Sequence, residues 1–163
     1  MSAIRRRTAI LLPTLGLLGA VLLSACSPFG NTAGSAGTLS PGLSARMDQP
    51  GASLDRAQAI GIINAYRATN GLPALALDTG LSGTAQALVN QYASTGTPPK
   101  TPNGVKALKL SAGYATFAET FSGWRNNPAD AAGLRVPASK AGVAVAFNPT
   151  SNYGIYWVLI LAD

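Results

Sequence analysis

Residues 153–162 read YGIYWVLILA, and every position from Ile155 onward is apolar or aromatic. A strand alternates its side chains between two faces. Ile155, Trp157 and Leu159 then point one way, and Tyr156, Val158 and Ile160 point the other. Both sets are large, so this strand needs cover on both faces. Upstream, residues 143–147 read VAVAF, with Val143, Val145 and Phe147 on one side and Ala144 and Ala146 on the other. Asn148, Pro149, Thr150, Ser151 and Asn152 supply turn chemistry between the two runs. The pattern predicts an antiparallel hairpin. Residues 105–110 give a weaker third strand.

Three helical patterns precede and interleave these strands. Ser53 is expected to cap the first, with Asp55 in its first turn where a negative charge suits the dipole. Ala59, Ile62, Ile63 and Tyr66 fall on one helical face. Gly71 and Pro73 end it. Asp78 opens the second helix, whose stripe is Leu81, Ala85, Leu88 and Tyr92; it runs out at Thr95 and Gly96. Thr116 and Glu119 are spaced as a capping box. Tyr114, Phe117, Ala118, Phe121 and Trp124 follow a helical period that stops at Asn126 and Asn127, before Pro128. Helices around a doubly buried sheet predict an α+β fold, a three-layer α-β-α sandwich with a small antiparallel sheet. Residues 53–163, about 110 in number, suffice for a core without disulfides.

The N-terminal region reads differently. Arg5, Arg6 and Arg7 precede an apolar run over residues 8–23, and Leu23, Ser24, Ala25 and Cys26 follow. This is the layout of a secretory signal over residues 1–25. The apolar core is shorter than the ~20 residues of a comfortable membrane span. Leu-Ser-Ala-Cys resembles the lipobox of bacterial lipoproteins, which implies cleavage before Cys26 and a diacylglycerol thioether on its sulfur. Cys26 is the only cysteine, so no intramolecular disulfide forms. Two or more acyl chains give stable anchoring. Residues 26–52 are rich in Gly, Ser, Pro, Ala and Thr and read as a flexible tether from the lipidated cysteine. Ser27, where an Asp would favour inner-membrane retention, points to the outer membrane facing the periplasm. The expected location is the bacterial cell envelope.

The chain carries 12 Lys and Arg against 6 Asp and Glu. Three of those cations leave with the signal. The remainder form no clustered basic face, so no nucleic-acid partner is expected. Lys100, Lys106 and Lys109 read as a solvated loop and strand edge. There is no histidine, which excludes Ser-His-Asp and Cys-His chemistry. Ser-x-x-Lys and Gly-x-Ser-x-Gly are absent, as are a phosphate loop and Cys-x-x-Cys. Two carboxylates, Glu119 and Asp130, remain for acid-base work. Glycoside hydrolysis needs such a pair within about 5–10 Å. Three helical turns, about 16 Å of rise, separate these two unless the chain folds back. Glu119 has a capping role, and Asp130 follows Asn127-Pro128 as a turn or cap residue. Trp124, Trp157, Tyr156 and Phe121 read as core aromatics, or as the lining of a lipid or sterol groove.

Residues 65–93, AYRATNGLPALALDTGLSGTAQALVNQYA, resemble the opening of the CAP superfamily, the SCP-like domains. Residues 113–125, GYATFAETFSGWR, resemble the helix that carries the family's tryptophan. Asn127-Pro128-Ala129-Asp130 stands where many bacterial members have Ser-Pro-x-His, and residues 141–162 resemble the closing hairpin. The resemblance implies an α-β-α sandwich with a cavity of two histidines and two acids, sometimes holding zinc. On it, the second histidine falls on Asp130, the acid three residues after the tryptophan falls on Asn127, and a Glu-Asn pair falls on Leu108 and Lys109. The first histidine falls near Pro99. One carboxylate without imidazole does not make a zinc site, so no metal and no cofactor is expected. Asp130, Asn127 and Glu119 are thus candidates for a degenerate cavity with no catalytic residue. The function expected is that of a lipid-anchored envelope protein whose SCP-like domain is a non-catalytic binding module. Its partners would be the membrane through its anchor, and an envelope protein, a glycan or an apolar ligand. A weak hydrolase or a carrier of small lipids is the alternative.

Overall fold

The computed structural model describes residues 40–163. The signal segment, Cys26 and the first part of the tether lie outside the described residues. The elements run α1 (Pro41–Ser44), α2 (Arg56–Thr69), β1 (Ala76–Leu77), α3 (Thr79–Thr95), β2 (Ala107–Ala112), α4 (Phe117–Asn126), α5 (Pro128–Leu134), β3 (Lys140–Phe147) and β4 (Ile155–Ala162). The strands form one sheet in the order β1-β3-β4-β2. β4 lies at its centre, antiparallel to both β3 and β2. β1 adds a two-residue parallel edge beside β3, so the antiparallel sheet gains one mixed edge.

β4 is buried on both faces, as its composition requires. Ile155, Trp157, Leu159 and Leu161 pack with α1, α2, α4 and α5, together with Ile60, Ile63, Phe117, Trp124 and Leu134. Tyr156, Val158 and Ile160 pack on the other face under α3, with Ala85, Val89 and Tyr92. This is the three-layer α-β-α sandwich. Gly142, Ala144 and Ala146 are the small side of β3, and they let α3 approach closely. A Cβ on Gly142 would sit 2.2 Å from the Leu81 carbonyl carbon and 2.3 Å from the Ser82 nitrogen.

Several local expectations shift. Asp55, not Ser53, caps α2, and its carboxylate accepts from the Gln58 N–H. The buried stripe of α2 is Ala59, Ile60, Ile63 and Arg67, with Ile62 and Tyr66 half-buried beside it. That of α3 is Ser82, Ala85, Val89, Tyr92 and Ala93, with Leu81 and Leu88 flanking. The capping box of Thr116 and Glu119 forms on α4. The tether reading of residues 26–52 fails over its described end. Leu43 and Met47 are buried, and the Met47 N–H donates to the Ala115 carbonyl at 2.8 Å. Two apolar side chains amid small polar residues were enough to tie this stretch to the core.

The exposed edge of β3 beyond β1 is blunted. Arg56 Nε donates to the Val143 carbonyl at 2.9 Å, and Gln86 Nε2 donates to that of Val145 at 3.2 Å. Side chains thus occupy carbonyls that another strand would pair with. Among the described residues no helix is long and apolar enough to cross a membrane.

Candidate functional site

Asn127 joins two helices. It ends α4, and its side-chain oxygen accepts from the Ala129 and Asp130 N–H groups at 3.0 and 3.1 Å. Pro128 follows at the first helical position, where a missing N–H costs nothing. The result is α5, and Asp130, expected as a turn or cap residue, lies inside it. It places Asp130 in a first turn, where a carboxylate suits the dipole.

Lys109 meets Asp130 from the sheet. The pairing of β2 with β4 sets Lys109 opposite Leu159, on the face covered by α5. Its Nζ donates to Asp130 Oδ1 at 2.7 Å. The two side chains are only 13% and 31% exposed, so Lys109 is no solvated strand-edge cation. Gly133, one turn further along α5, makes room for the stem. A Cβ there would lie 2.9–3.1 Å from Lys109 Nζ, Cδ and Cε. Lys106 pairs instead with Asp163, in an exposed position.

Glu119 does different work. Its Oε2 accepts from the Thr116 N–H at 2.9 Å and the Thr116 hydroxyl at 3.0 Å. It borders an open groove of about 570 Å³ with Tyr114, Ser122, Asn126 and Asn127. Asp130 does not border that groove. The structure therefore brings Asn127 and Glu119 to one surface and commits Asp130 to Lys109. The groove holds one carboxylate, and that carboxylate closes a helix end. No three His, Cys, Asp or Glu side chains gather anywhere among the described residues.

The aromatic candidates are core. Trp124, Trp157, Tyr156 and Phe121 are at most 4% exposed. Trp124 Nε1 donates to the Leu110 carbonyl at 2.9 Å, and Trp157 Nε1 to that of Tyr114 at 2.8 Å.

Arg67 is the residue that sequence reasoning missed. It is fully buried. Its Nε donates to Pro73 O at 3.1 Å, Nη1 to Leu134 O at 2.9 Å and Val136 O at 3.0 Å, and Nη2 to Ala138 O at 3.4 Å. Burial lowers the guanidinium pKa from its ordinary value. Arg67 therefore clamps α2 to the segment that joins α5 to β3. Its signal was its spacing: it lies seven residues after Ile60 and four after Ile63, on the buried face.

The cysteine-rich secretory protein family, CAP, matches residues 60–161, more than half of the chain. The chain belongs to the CAP family. Solved structures agree on the CAP fold. An extracellular protein of Bacillus anthracis with an SCP domain superposes with a TM-score of 0.53 at 15% identity, over 66% of this chain and 40% of that one. The protein MpPR-1i gives 0.51 at 18%, over 66% and 89%. No curated protein matches the chain. In this CAP domain, two positions that the resemblance assigned to the family's cavity, Lys109 and Asp130, are joined to each other.

Proposed function

We propose that this chain is an exported bacterial envelope protein, held to the membrane by lipid on Cys26, whose CAP domain binds and does not cleave. The Lys109–Asp130 ion pair carries the reading. It engages the carboxylate that stands in place of the family's histidine, and the Lys109 stem lies against Gly133 of the same helix. Two facts support it. The chain has no histidine for a proton relay or a metal, and Glu119 is engaged in its capping box. The extracellular Bacillus anthracis neighbour fits an envelope address. Lipidation follows from Leu23-Ser24-Ala25-Cys26, and Ser27 favours the outer membrane. The partner is another envelope component: a protein, a glycan or an apolar ligand.

Fractionated cells test both halves. The native protein should be membrane-bound, with an N-terminal peptide that begins at an acylated Cys26 by mass spectrometry. Cys26→Ser should appear in soluble fractions or as uncleaved precursor without acyl mass. An unacylated N-terminus on native protein would end the anchor reading. The purified protein should show no turnover of peptides, glycans or esters. A hydrolytic activity abolished by Asp130→Asn in a folded variant would end the non-catalytic reading.

A further inference from the structure

The chain contains two Asn-Gly dipeptides, Asn70-Gly71 and Asn103-Gly104. Such a dipeptide carries chemistry of its own. The glycine nitrogen can attack the side-chain amide carbon of the asparagine before it and close a cyclic imide. Glycine has no Cβ to obstruct that approach. Two groups must be free for the attack. The glycine N–H must lose its proton, and the asparagine amide must swing toward the main chain and release its nitrogen. A hydrogen bond on either group holds the reaction back.

The two dipeptides differ in both respects. Asn70 closes α2. Its Nδ2 donates to the Tyr66 carbonyl at 2.8 Å and to Thr69 Oγ1 at 3.3 Å, so the nitrogen that would leave is tied to the last turn of the helix. The nitrogen that would attack is tied as well, because the Gly71 N–H donates to the Ala68 carbonyl at 3.0 Å. Asn103 stands in the connection from α3 to β2, and both it and Gly104 are exposed. Neither its side chain nor the Gly104 N–H makes a hydrogen bond among the described residues. Gly104 has φ +78°, as at the third position of a type II turn. A single contact closes this turn, from the Val105 N–H to the Pro102 carbonyl at 3.3 Å. Pairing with β4 begins only at Lys106, whose N–H donates to Leu161 O at 2.9 Å. The turn can therefore open without disturbing the sheet.

We propose that Asn103 is a site of spontaneous deamidation in the folded protein and that Asn70, in the same dipeptide, is protected. The Gly104 nitrogen gives its proton to hydroxide and bonds to Asn103 Cγ. The Cγ–Nδ2 bond breaks, and Nδ2 leaves as ammonia with a proton from water. Water then opens the imide at either carbonyl. Opening at Cγ restores the ordinary main chain with aspartate in place of asparagine. Opening at the main-chain carbonyl gives isoaspartate, whose peptide link runs through Cγ. Nothing is oxidised or reduced, and water is the only co-reactant. Either product puts a carboxylate where a neutral amide stood, and isoaspartate lengthens the main chain by a methylene just before β2. The connection ahead of the central sheet thus gains charge as the protein ages, while the end of α2 does not.

The test is peptide mapping by mass spectrometry. The full chain in detergent is aged in mildly alkaline buffer below its melting temperature, then digested with an acid-active protease. The peptide that holds Asn103 should convert to two acidic isomers of equal mass, aspartate and isoaspartate. The peptide that holds Asn70 should convert about tenfold more slowly or less, the factor that its hydrogen bonds supply. The same chain unfolded in guanidinium should deamidate at both asparagines at similar rates, which isolates the effect of the fold. Retention of the Asn103 amide in the folded chain, over a time in which the unfolded chain converts, would overturn the proposal. Equal rates at Asn70 and Asn103 in the folded chain would overturn it as well. Aspartate without isoaspartate at position 103 would also do so, because the amide would then have hydrolysed without the imide.

Discussion

Replacing Arg67 with methionine keeps most of the side-chain volume and removes every donor. The Leu134 and Ala138 carbonyls it serves are buried, whereas those of Pro73 and Val136 are partly buried and open to rehydration. Two buried acceptors without donors cost about 1–3 kcal/mol each. Against that stands relief from desolvating the guanidinium, which offsets only part of the loss because two of its four acceptors are partly buried. The contact to Ala138 is long at 3.4 Å, so its loss weighs least. The net expectation is a loss of about 2–4 kcal/mol, a large share of the ~5–15 kcal/mol typical of a domain. Arg67→Lys should fare little better, because one ammonium cannot reproduce a planar fork over separate carbonyls. Urea unfolding followed by tryptophan emission reads this directly, since Trp124 and Trp157 are both buried. A loss below about 1 kcal/mol in Arg67→Met would refute the reasoning. It would mean that water or a backbone shift serves these carbonyls as well as the guanidinium does.

Gly142→Ala should destabilise by about 3 kcal/mol or more, because the added methyl meets the Leu81 and Ser82 backbone and not a yielding side chain; a thermal melt within two or three degrees of native would contradict this. Tyr92 is buried, and desolvation, helped by the Tyr153 and Tyr156 phenols, raises its pKa above the ordinary value. Unfolded tyrosine releases its proton near pH ~10 while the folded one keeps it, so the folded state binds more protons there and stability falls as pH rises past ~10. Tyr92→Phe should flatten that decline, and a native urea midpoint that does not move between about pH 9 and 11 would count against it. Lys109→Met and Asp130→Ala should each destabilise, the latter more because it leaves the less exposed partner, the Lys109 ammonium, unpaired, and the double variant should lose less than the two combined; additive losses would show that the pair contributes no coupling.

The layers of the fold were legible because their signal is categorical. An eight-residue run without a polar face admits no arrangement but cover on both sides, and the helical stripes supply that cover. Cap chemistry was legible where two residues answer each other, as Thr116 and Glu119 do, and less so where two candidates compete. Ser53 and Asp55 both suit a cap, and sequence alone does not rank them. The stripes of α2 and α3 were read one step off centre. Ala59, Ile63, Ala85 and Tyr92 lie on the buried face as read, whereas Ile62, Tyr66, Leu81 and Leu88 stand at its rim and Ile60, Arg67, Ser82 and Val89 fill its middle. β1 escaped notice because two residues carry no period. Its existence follows from the Ala76 N–H, which donates to Ser139 O at 2.8 Å, and the Asp78 N–H, which donates to Ala141 O at 2.9 Å.

The site was legible residue by residue and not as a pair. Lys109 sits between Leu108 and Leu110, and that alternation suggests one dry face and one wet face. The suggestion fails because both faces of this sheet are covered. A lysine in such a sheet has little solvent to turn to, so the fold itself requires an acceptor for its ammonium before any chemistry is asked of the site. The short helix over β2 begins at Asn127-Pro128, and its first turn presents Asp130 there. Packing and charge compensation therefore account fully for this carboxylate. A carboxylate bonded to the Lys109 ammonium at 2.7 Å, in the first turn of a helix laid over that lysine, is one that the fold itself uses.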